Sequence, residues 1–148
     1  MSSRDRRSSA RVLAALALLA LAPSGAAAPR AKGTGRPTAI SVQALQERYG
    51  LEVSRLALVA GGGVVDLRLR VVDREKARAL LADHRPPRLL VGPKREALEP
   101  PAHGLGIHAL ARTGAAYVLF ANSGDRVKRG ATVAIALGEL RVERVPVE

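Results

Sequence analysis

Nine residues constrain this fold more than any others. From residue 64 to residue 72 apolar and charged side chains alternate, with Val65, Leu67, Leu69 and Val71 in one set and Asp66, Arg68 and Arg70 in the other. A period of two puts the sets on opposite faces of a β-strand. One face is then buried and the other wet, which is the habit of an antiparallel sheet. Gly61-Gly62-Gly63 precedes this strand, and residues 51–60 form a second apolar run before it. Glycines reach positive φ without strain, so the three are expected to close a hairpin. A phosphate cradle would need a following helix, and here a strand follows.

The rest of the chain reads in the same way. Ser41 is expected to cap a short helix with Val42, Leu45 and Tyr49 on one face, ended by Gly50. Asp73 is expected to cap a second helix over 74–82, with Ala77, Leu80 and Leu81 as its stripe. Five prolines (Pro86, Pro87, Pro93, Pro100, Pro101) make 84–102 mostly loop, with one short strand at 88–91. Further strands are expected at 107–111, 115–121, 132–137 and 139–147, separated by Thr113-Gly114, Ser123-Gly124 and Gly138. Tyr117-Val118-Leu119-Phe120 is apolar on both faces, which predicts a central strand. Seven short strands and two short helices predict a mainly β fold: an antiparallel β-sandwich, immunoglobulin-like, over residues 41–148.

The N-terminus predicts where the protein works. Arg4, Arg6, Arg7 and Arg11 precede eleven apolar residues, 12–22, and the small series Ala26, Ala27, Ala28 follows. This is the pattern of an export signal peptide, residues 1–28. A membrane span needs about 20 apolar residues, so cleavage near Ala28 is expected, with retention as a membrane anchor the alternative. Arg6-Arg7 lacks the bulky apolar residues that a twin-arginine signal favours. Residues 29–40 have no apolar periodicity and are expected to be a disordered tether. The expected location is periplasmic or extracellular. The chain has no cysteine, which removes lipid modification at a cysteine, disulfides and thiolate metal sites together.

Charge bears on partners. The chain has 24 basic and 13 acidic residues, and removal of residues 1–28 leaves 20 and 12. Such a surface suggests nucleic acid, but only Tyr49, Tyr117 and Phe120 are aromatic, so no stacking platform exists. Nucleic acid is not an expected partner, and neither is a small-molecule cofactor. Arg68 and Arg70 on one strand face, with Arg126, Lys128 and Arg129 in a later turn, are the candidate anion-binding residues. The competing reading of all five is a solvated charged surface.

The stretch from Tyr49-Gly50-Leu51 through Ala60-Gly61-Gly62, Val65-Asp66-Leu67-Arg68, Val71-Val72-Asp73 and Glu75-Lys76-Ala77 resembles a family of small exported bacterial proteins with no assigned activity. That family is marked by a G-I-x-V strand, an A-G-G turn, a D-F-R-Y-R-V-x-D-P-E-K-A segment and an F-A-N-P-G turn. Phe120-Ala121-Asn122-Ser123-Gly124 stands here for the last of these. Leu67 and Leu69 replace aromatics, and Arg74 and Ser123 replace prolines. The resemblance spans most of residues 41–145 and implies export and a β-sandwich, without a chemistry.

Catalytic patterns are missing. No serine lies in G-x-S-x-G or S-x-x-K. Asp66 and Asp73 are about 23 Å apart along an extended chain and cannot act together; they read as an exposed strand residue and a helix cap. His103 and His108 have no completing ligand at metal-binding spacing, and His84 is distant in sequence. No catalytic and no metal-binding residue is therefore assigned. The expected function is non-enzymatic: a structural or protein-interaction module of the bacterial cell envelope, partnered by an envelope protein. The alternative is a binding module for an anionic envelope lipid or polymer.

Overall fold

The computed structural model describes residues 36–101 and 106–148. The expected signal peptide, most of the expected tether and His103 lie outside them. The described part is mainly β, with two sheets, three helices and one core. The larger sheet has five strands in the order β1 (Thr38–Ile40), β8 (Leu140–Pro146), β7 (Thr132–Leu137), β4 (Arg88–Val91), β5 (Glu96–Leu98). The smaller has three: β2 (Leu51–Val59), β3 (Val64–Val71) and β6 (Ala115–Ala121). The sheets do not close into a barrel and are sandwich-like.

The hairpin forms as expected. β2 pairs antiparallel with β3, and a 3-10 turn, Ala60–Gly62, joins them with Gly61 at φ 65°. Val65, Leu67 and Leu69 are buried on the inner face, while Arg68 and Arg70 stand exposed on the outer one. The first helix, α1 (Val42–Tyr49), is capped by the Ser41 hydroxyl, which accepts from the Ala44 amide at 3.0 Å. Gly50 ends it at φ 62°, where a Cβ would overlap the Asp73 carbonyl. The Asp73 carboxylate accepts from the Glu75 and Lys76 amides at 3.1 Å and caps α2 (Arg74–Leu81).

Four expectations are corrected. Residues 107–111 belong to a helix, α3 (Gly106–Thr113), rather than a strand. An apolar run this short fits either period; the helix buries Leu110 fully and ends where Gly114, at φ 78°, donates to the Leu110 carbonyl. Residues 38–40 depart from the expected tether, because Thr38–Ile40 forms β1 and pairs with β8. That pairing is parallel, so the larger sheet is mixed, not purely antiparallel. Finally, β6 is an edge strand, not a central one, because among the described residues no strand pairs with its side away from β3.

The sheets are tied at one margin. The Glu148 amide donates to the Leu56 carbonyl, and the Leu58 amide donates to the Glu148 carbonyl, both at 2.9 Å. Val147, buried, exchanges bonds with Gly130 and Ala131. The chain beyond β8 thus crosses to the free margin of β2 and leaves β6 as the open margin of the smaller sheet.

Candidate functional site

The outer face of β3 pairs its own charges. Asp66, expected to be exposed, is 95% buried. Arg68 holds it through Nε and Nη2, each at 2.9 Å. Arg70 donates Nε–H to Glu52 on β2 at 2.9 Å. The strands set these partners: Arg70 lies opposite Glu52 in the β2–β3 register. Arg126, Lys128 and Arg129 sit in the 122–131 loop, and among the described residues none of them pairs with a carboxylate. That loop is held against the hairpin turn by Asn122, whose Nδ2 donates to the carbonyls of Gly62 (2.8 Å) and Val127 (2.9 Å). Val64 marks this end of β3, so Arg68 is about 13 Å and Arg70 about 20 Å further along the strand. The five basic residues are therefore brought together as two groups at different places on the sheet.

The histidines are rearranged as well. His84 and His108 stack, with ring centroids 4.9 Å apart and planes 21° apart. Lone pairs of stacked rings lie in near-parallel planes and do not converge on one ion. Among the described residues no three His, Asp or Glu side chains gather at ligating distance. Ser41 caps a helix and the Ser54 hydroxyl donates to the Arg68 carbonyl, so neither is poised as a nucleophile.

On the larger sheet Glu143 sits between Arg95 (2.9 Å) and Arg141. Burial alone would raise its carboxyl, but the two arginines outweigh burial and hold it below the ordinary range. At Asp83 the hydrogen bond from Arg85 does the same, and Arg85 also reaches Glu139 at 2.8 Å. These pairs lace the surface.

The feature without an internal explanation is β6. Its side chains alternate, with Ala116, Val118 and Phe120 buried and Tyr117 and Leu119 exposed by 54% and 44%. Only one other large apolar side chain, Val72, is comparably exposed among the described residues. Backbone polarity alternates in step. The Val71 amide donates to the Gly114 carbonyl (2.7 Å) and the Asn122 amide to the Gly63 carbonyl (2.9 Å). In an antiparallel ladder this assigns the bonds to β3 to residues 116, 118 and 120. The amides and carbonyls of Tyr117 and Leu119 therefore point away from the sheet, and no backbone group among the described residues meets them. Ala115 differs: its carbonyl accepts from the Thr113 hydroxyl at 2.8 Å. A depression of about 690 Å³ runs beside Tyr117 and Leu119, floored by Asp66, Arg68 and Ala115. Sequence reading missed this site because an apolar run does not disclose which of its faces is covered. No protein family, characterised protein or solved structure matches this chain.

Proposed function

We propose that the chain is an exported, non-enzymatic interaction module of the bacterial cell envelope, and that it meets its protein partner along the β6 edge. The observation that carries this is the open row at Tyr117 and Leu119, where unpaired backbone groups and exposed apolar side chains coincide. An extended segment laid there gains main-chain hydrogen bonds, while the side chains select it. Export rests on the leader and on the resemblance to small exported proteins.

We also assign an immunoglobulin-like connectivity. In that fold strands G, F, C and C′ are neighbours in one sheet and A, B and E in the other. Here β8-β7-β4-β5 and β2-β3-β6 follow those two orders. The next neighbour of E would be a strand D, from the chain just before β6. This chain makes α3 there, which leaves the place beside β6 open.

The anion-binding alternative is the weaker reading, since Arg68 and Arg70 already hold carboxylates. Leu119→Pro tests the edge. It removes one outward amide and no bond to β3, and proline is tolerated on sheet edges. We expect at least about tenfold weaker cross-linking to the envelope partner, with the melting temperature nearly unchanged. Undiminished cross-linking by this variant would sink the edge reading.

A further inference from the structure

Residues 115–121 read Ala-Ala-Tyr-Val-Leu-Phe-Ala and carry no charge. Counted outward from Val118 the outer face is nearly symmetric: Tyr117 balances Leu119, and Ala115 balances Ala121. Natural edge strands are guarded by lysine, proline, a bulge or an inward charge. This edge has none of these, and its register with β3 is unbroken. Resting on the edge reading above, we infer that the occupant of β6 is a second copy of this chain. The two β6 strands join antiparallel about a twofold axis at Val118.

That axis makes the open groups self-complementary. Tyr117 lies opposite Leu119 of the second copy, and Leu119 opposite its Tyr117. Both are residues whose amide and carbonyl point outward, so each pair exchanges two hydrogen bonds. Two three-stranded sheets become one of six strands through an isologous contact.

The charges behind the edge fit the same axis. Arg68 stands opposite Tyr117 on β3, and Asp66 stands opposite Leu119. A row across the joined outer face therefore runs Arg68, Tyr117, then Leu119 and Asp66 of the second copy. The row that begins on Arg68 in one copy ends on Asp66 of the other, the row that begins on Arg70 runs through Ala115 and Ala121 to Val64, and no like charges face each other across the axis. An axis at Tyr117 or Leu119 would break this alternation by setting identical residues opposite one another.

Sedimentation velocity on the full chain tests the inference. The wild type is expected to form a concentration-dependent dimer. Leu119→Lys and Tyr117→Glu, both at exposed positions, are each expected to weaken it at least about tenfold. Their circular dichroism and melting should stay near wild type. The equimolar mixture is expected to dimerise again, because the axis sets the introduced lysine opposite the introduced glutamate. A wild type that stays monomeric to ~1 mM, or a mixture that stays monomeric while the wild type dimerises, overturns the inference. A monomeric wild type whose Leu119→Pro variant still loses its envelope cross-link overturns self-pairing alone. If that cross-link persists too, the edge reading falls with it.

Discussion

At the scale of single residues, the decisive side chains are polar ones whose partners come from elsewhere in the chain. Asn122 is 97% buried and makes three hydrogen bonds, two to the Val127 backbone and one to Gly62. Alanine there would strand those groups. We expect Asn122→Ala to cost about 3 kcal/mol, a fall in Tm of roughly 10–15 °C for a domain of this size. Glu143 makes a pH prediction. Its carboxyl is held below the ordinary 4.5 in the folded protein. A depressed acid contributes stability that is full above its unfolded pKa and is lost as pH falls through the folded value. Urea midpoints should therefore fall as pH drops below about 4.5, and less steeply for Glu143→Gln than for the wild type.

Secondary-structure elements were legible to different degrees. Both hairpin strands and the Ser41 and Asp73 caps follow from local patterns: a period of two, a glycine turn, a side chain that meets its own backbone. The 107–111 run was not legible, since five residues satisfy a strand or a helix equally and only the burial of Leu110 decides. β6 was half legible. Its strand state follows from composition, but its place at the margin depends on which strands pair with it in the folded sheet. The strap after β8 depends on contacts about ninety residues apart. Val147→Asp would bury an unpaired carboxylate in the hydrophobic core. We expect it to abolish the cooperative melt seen by circular dichroism.

For the molecule as a whole, location and docking are separate questions. If the leader is cleaved near Ala28, N-terminal sequencing of protein recovered from cells will begin at Pro29; Met1 or Ser2 would mean retention. The sequence alone determined the hairpin, the helix caps, the exclusion of cysteine chemistry and the expectation of export. Each follows from residue type and spacing within a short window. Only the tertiary structure decided that Arg68 and Arg70 are already paired, that Arg126, Lys128 and Arg129 lie away from them, and that β6 is an open edge. Those depend on which strands become neighbours, and neighbours are chosen by burial summed over the whole core rather than by any one segment's pattern.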